Sequence, residues 1–244
     1  MTSREATLHY LKQLKGQPLK EQLSYILTNF WIPIVALLAA IVFLVSLVVH
    51  WTTQNPTVLT LCCINAVATE DDTGGYLQGF AQAQGIDTDQ SVLRTEFIYL
   101  GQDSEADYHY MQLFTAMQTV GDLDVAVAEY DIIIDYAYED SFADLSEILT
   151  AAQLDALAPH FLYIDQSVLE IAMESPNALA EYPDPTKPEE MEQPIPVAIK
   201  LQPNWGLTES CYPYTYQINA VALFANAGNM ANAQAFLQYI LEGN

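Results

Sequence analysis

The 244 residues carry 31 acidic and 7 basic side chains, a formal charge of -24, and 51% of them are hydrophobic. That apolar content over that length is enough for one packed core, which excludes an intrinsically disordered chain. The charge excludes nucleic acid and other polyanions as partners, because like charges repel over long range at low salt.

Residues 1–30 hold four of the seven basic residues, Arg4, Lys12, Lys15 and Lys20, and are too few for a domain. Leu8, Leu11 and Leu14, then Leu19, Leu23, Ile26 and Leu27, recur at helical spacing on either side of "GQP". This predicts two short amphipathic turns in a cytoplasmic segment, lying on the inner leaflet beside the lysines or docking on another membrane subunit.

"WIPIVALLAAIVFLVSLVVHW", residues 31–51, has no acidic residue, no Lys and no Arg. The 19 residues between Trp31 and Trp51 rise by roughly 28 Å as a helix, close to the ~30 Å hydrocarbon core of a bilayer. A single transmembrane helix over 31–51 follows, with Trp31 and Trp51 at the two membrane interfaces and Pro33 in the first helical turn, where its missing N–H is tolerated. A cleaved signal peptide shares the basic start, but this run is longer than a signal core and no small-x-small site follows "VVHWTTQNP". The basic residues lie on the N-terminal side, so the positive-inside rule puts the N-terminus in the cytoplasm and the rest outside. Residues 52–56 then read as a linker. The outer part, 57–244, holds every acidic residue except Glu5 and Glu21, against Arg94, Lys187 and Lys200 alone.

"TVLTLCCINA" (57–66), "SVLRTEFIYL" (91–100) and "LDVAVAE" (123–129) are short, apolar and rich in β-branched residues, as strands covered on both faces are. Between the first two, "DDTGGYLQGFAQAQG" brings Leu77, Phe80, Ala81 and Gln84 to one side and stops at Gly85, a fitting helix end. Between the second and third, Ser104 with Asp107 forms a capping box, and Tyr110, Leu113, Phe114, Met117 and Val120 mark the buried helical face. Strand, helix, strand, helix, strand predicts an α/β fold: a parallel sheet with helices on its faces, in three layers.

Further on, "DLSEIL" reads as a short turn, "TAAQLDALAPH" as a helix capped by Thr150, and "HFLYID" as a strand. Residues 175–194 carry five prolines and five acidic residues and read as an exposed loop. "IPVAIKL" is a strand, "TYQINAVALFA" a strand or a helix, and the end a helix with Ala233, Phe236, Leu237, Ile240 and Leu241 turned inward. Cys62 and Cys63 sit in the first strand as small buried side chains; outside the cell a disulfide is allowed, and Cys211 is able to pair with either.

No motif for catalysis, for a cofactor or for a metal emerges. Glu129, Asp131 and Asp135 lack a converging second group for acid/base work. His9, His50, His109 and His160 are scattered, and "EDDTGG" and "GIDTDQ" lack the ligand pattern of a calcium loop. The reading is therefore not an enzyme.

The stretch "GDLDVAVAEYDIIIDYAYEDSFADLSEIL", with "GIDTD" before the second strand and "ANAGNMANAQAFLQYIL" near the end, resembles the extracellular solute-binding proteins of the type 2 periplasmic-binding fold. In that family a G-x-x-D start leads into the third strand, a short helix follows and a D-L-S turn comes next. The resemblance covers most of 57–165 and again 195–243. It implies one lobe of such a protein, since the residues from 130 onward suffice only for a closing strand and a reduced second lobe. A membrane-tethered extracytoplasmic binding or interaction module, working with a membrane protein partner, is the function implied; a stand-alone tethered receptor for a small solute or peptide is the alternative. In open α/β sheets ligands lie beyond the carboxyl ends of the strands, which points to the turns at 68–75, 101–104 and 129–131, with Thr73, Gly74, Tyr130 and Asp131 as ligand-binding candidates. The scarcity of Lys and Arg favours a neutral or cationic ligand. Tyr130, Tyr136, Tyr138, Tyr212 and Tyr214 are expected either on a partner surface or packed within the domain.

Overall fold

The computed structural model describes residues 18–53, 55–66, 70–100, 105–174, 182–203, 205–211 and 219–242. It divides into two units, Met1–Gln54 and Asn55–Asn244.

Among the described residues of the first unit, one helix, α1, runs from Leu19 to Thr53. Its Trp31–Val49 stretch is the one segment among the described residues long and apolar enough to cross a membrane, with a mean hydropathy of 3.1 and none of it buried within the protein. This is consistent with single-pass anchoring. Trp31 is exposed at the start of that stretch, and Trp51 follows two residues beyond its end. Two expectations change. The turn around Leu23 and Leu27 is continuous with the apolar helix, and Pro33 lies inside α1 rather than in its first turn. The reason is local: "LKEQLSYIL" consists mostly of good helix formers with no Gly or Pro, so nothing stops the helix before the proline. The turn expected around Leu8 to Leu14 lies outside the described residues.

The second unit begins with β1 (Thr57–Ile64), α2 (Glu70–Gln84), β2 (Val92–Ile98), α3 (Glu105–Val120) and β3 (Val125–Glu129). Then come α4 (Tyr130–Ala137), α5 (Leu145–Ile148), α6 (Ala151–Leu157), β4 (Phe161–Asp165) and α7 (Gln166–Glu174). The chain continues through β5 (Pro194–Lys200), α8 (Gly206–Cys211), β6 (Asn219–Leu223) and α9 (Met230–Leu241).

Gly85, at φ +68°, ends α2 where an L side chain would be strained, and the Ile86 N–H bonds back to the Ala81 carbonyl at 2.9 Å. At the start of α6 the Thr150 N–H donates to Gln153 Oε1 at 2.9 Å, the reciprocal half of a capping box. On α3, Phe114 and Met117 are buried and Tyr110 and Leu113 partly so, but Val120 is 70% exposed. It is the last helical residue before Gly121 turns the chain at φ +74°, so it leaves the apolar stripe. The Ser104 cap lies outside the described residues.

The six strands form one sheet in the order β2-β1-β3-β6-β5-β4. β1 pairs with β2 and β3 in parallel, whereas β3–β6, β6–β5 and β5–β4 are antiparallel. The sheet is therefore mixed, not parallel throughout. An apolar run reports burial on both faces and is silent on direction, and β6 is buried along its whole length. Because β4, β5 and β6 complete this same sheet, the described residues after 130 do not build a second lobe.

Alternation along β3 divides the core. Val125 and Val127 join Leu59, Leu61, Cys63, Phe80 and Phe236 on one face, while Ala126 and Ala128 join Cys62, Phe114, Ile133 and Phe224 on the other. Helices α2, α8 and α9 cover the first face and α3 and α4 the second, so three layers form. The Phe80 and Phe236 rings meet edge-on at 5.0 Å, a favoured aromatic geometry.

Candidate functional site: an acidic, tyrosine-lined cleft

No loop separates β3 from α4: Glu129 closes the strand and Tyr130 opens the helix. Ile133, Ile134 and Ala137 bury one face of α4 against the sheet. The 3.6-residue period then carries Asp131 and Asp135, four apart, to the solvent side.

A second wall comes from the segment 182–185, "YPDP". It lies along the outer edge of β4, where the Tyr163 N–H donates to the Pro185 carbonyl at 2.9 Å. Tyr182 stacks on Tyr138 with ring centroids 4.0 Å apart and planes 8° from parallel. Asp184 accepts from the Thr186 N–H at 2.9 Å and from its hydroxyl at 2.7 Å, a turn that fixes the end of the segment.

Between the two walls lies a cleft of about 460 Å³ lined by Tyr130, Asp131, Ile134, Asp135, Tyr182, Pro183, Asp184 and Pro185. Burial, and then the charge of Asp131, raise the Asp135 carboxyl above its ordinary range. A hydrogen bond to Asp131, followed by that residue's charge, raises the Tyr130 phenol. Asp184 is held low, first by the Thr186 hydrogen bonds and then by Lys187, whose ammonium stands 3.7 Å away. A carboxylate raised by a neighbouring carboxylate is one that gains from an added positive charge.

The lining offers acceptors, aromatic faces and no Cys, His or Ser. Among the described residues no group of three or more His, Cys, Asp or Glu side chains is placed to hold a metal ion. Carboxylates spread along a cleft, beside tyrosine rings, suit an extended organic cation such as an ammonium or guanidinium group.

Of the four candidates read from the sequence, the structure brings Tyr130 and Asp131 together here. Thr73 is fully buried in the first turn of α2, and Gly74 lines a separate groove with Leu77, Gln78 and Arg94 beside β2. Since α2 and α4 cover opposite faces of the sheet, the two pairs do not share a site. Tyr136 packs against Phe114 at 4.8 Å and Tyr138 is buried, so neither is an open contact surface; Tyr212 and Tyr214 lie outside the described residues. Sequence reasoning missed Tyr182 and Asp184, although Pro-Asp-Pro-Thr signals an ordered turn.

The fold and the cleft together define an α/β domain with an acidic, tyrosine-lined cleft, following one apolar helix. Compared with known proteins, no family model matches the chain, and no curated protein and no solved structure matches it.

Proposed function

We propose that the chain is a membrane-tethered extracytoplasmic binding or interaction module that works with a membrane protein partner, and that the cleft beside α4 receives a cationic group of that partner. The observation that carries this reading is the meeting of Asp131, Asp135 and Asp184 with Tyr130 and Tyr182 around one open cleft. The apolar Trp31–Val49 stretch supplies the tether. The basic residues ahead of it support an outward-facing C-terminal unit. The cleft is partly open to solvent. That suits a side chain or peptide presented by another protein better than a small solute, whose sites enclose most of its surface.

The alternative, a stand-alone receptor for a small cationic solute, draws on the same lining and on the resemblance to solute-binding proteins. One experiment separates them. The full-length protein in detergent is titrated calorimetrically with arginine, spermidine, glucose and a Lys/Arg-rich peptide, and a photocrosslinker at Tyr182 is activated in intact membranes. Free arginine, spermidine and glucose should give no micromolar binding, while the crosslinker should capture a membrane protein, with capture lost in Asp131→Asn/Asp135→Asn. Micromolar binding of a small solute without a crosslinked partner restores the receptor reading. Capture that persists in the double variant removes the cleft from it.

A further inference from the structure

Cys62 and Cys63 are neighbours in β1 and so face opposite sides of the sheet. Cys62 joins the core under α3 and α4; Cys63 joins the other, with Phe80, Leu207 and Phe236. Cys211, the last residue of α8, packs into the same core as Cys63, and the two sulfurs approach to 3.2 Å across 148 positions of sequence. All three cysteines are shut off from solvent. The sheet itself thus removes the choice of partner that the sequence leaves open.

We propose that Cys63 and Cys211 are joined by an intramolecular disulfide in the mature protein, with Cys62 left as a permanently reduced thiol. The proposal rests on the reading that places this unit outside the cytoplasm, where oxidants maintain disulfides. The sulfurs lie on converging side chains and need close by only about 1 Å to reach a bonding distance of ~2.05 Å. The bridge would tie the penultimate residue of β1 to the last residue of α8.

The chemistry is thiol–disulfide exchange with an external disulfide, either a small-molecule disulfide or the active-site disulfide of an oxidoreductase. The two S–H bonds of Cys63 and Cys211 are lost and one S–S bond forms. The two protons and two electrons pass to the external disulfide, whose own S–S bond is cleaved to two thiols. Exchange runs through a thiolate that must reach its target. The hydrogen bond to Cys211, and then burial, push the Cys63 thiol well above its ordinary value. The bond therefore forms before α8 covers β1, and once formed it is protected in the folded protein.

To test this, the full-length chain is extracted from membranes into a maleimide under denaturing conditions, its alkylated thiols are counted, and its peptides are mapped without reduction. Wild type should show one alkylated thiol, Cys62; Cys62→Ala should show none; Cys211→Ala should show two. Reduction of the denatured protein before alkylation should expose two more thiols in wild type. Three alkylated thiols in unreduced wild type overturn the proposal, and so does a peptide map that joins Cys62 to Cys211. Should a variant fail to accumulate, the wild-type count and map decide alone. Digestion of the same cells with external protease separates this from the location reading: free thiols in a protease-accessible domain overturn the disulfide only, and free thiols in a shielded domain overturn both.

Discussion

Asp124 has no exposed surface and stands one residue ahead of β3. Its carboxylate accepts from the Thr60 N–H at 2.7 Å, the Asn229 N–H at 2.8 Å and the Asn229 side-chain amide at 3.2 Å. One side chain thereby joins β1, β3 and the turn that opens α9. Removing it leaves the buried Thr60 N–H without its acceptor, at roughly 1–3 kcal/mol, and the part-buried Asn229 N–H without its own, at a smaller cost of about 1 kcal/mol. Asp124→Ala should therefore lower stability by about 2–4 kcal/mol, a fall of roughly 4–16 °C in Tm for a chain of this size. Thermal melting followed by circular dichroism checks it, and an unchanged melt would mean that the donors find other acceptors. In the sequence "GDLDVAVAE" two aspartates stand two apart with nothing to separate the buried one from the other. The distinction lies in which residue the sheet carries next to Thr60 and Asn229, two segments distant in sequence.

At the scale of the element, β3 is flanked by β1 and β6, and its valines and alanines fill opposite cores. Val125→Asp places an unpaired charge where nothing can solvate it, at a cost of several kcal/mol, and should abolish folding. Loss of the near-ultraviolet signal and rapid proteolysis are the expected readouts; a cooperative melt near that of wild type would contradict the central placement of β3. The strands were legible because β-branched apolar runs advertise burial on both faces, and "NAVAL" resolves to strand within a run that periodicity alone leaves ambiguous. Direction was not legible, since pairing depends on connections and neighbours rather than on the run itself. Half of the cleft was legible for the same kind of reason. Tyr130 and Asp131 follow from the rule on carboxyl ends of strands, whereas Tyr182 and Asp184 reach the cleft only through the lie of their segment along β4.

Over the whole molecule, 31 carboxylates face 7 basic groups, and three ion pairs are formed among the described residues, two of them by Lys187. Burial raises Asp135 and Glu139, each with help from a neighbouring carboxylate. A carboxyl whose folded pKa lies above its unfolded value binds its proton more tightly when folded, so stability grows as pH falls through the folded value toward the unfolded one at about 4. Asp165 acts oppositely. Burial works to raise it, but hydrogen bonds from Glu192, Ser167 and Gln193 hold it low, and its contribution is lost only on falling below about pH 4. The urea midpoint should thus be higher at pH 5 than at pH 7.5, and added salt should narrow the gap by screening the surface charges. An equal or lower midpoint at pH 5 would show that self-repulsion does not govern stability. The position of β6 also orders events in time. It is the last of the six described strands in chain order, yet it sits between β3 and β5. A nascent chain therefore emerges with β1, β2 and β3 able to pair while the far edge of β3 stays open, and β4 and β5 have no sheet to join until residues 219–223 leave the ribosome. A chain stalled short of that point offers an unpaired, apolar edge to its neighbours, so the arrival of β6, rather than early collapse, is the step that protects this protein from aggregation.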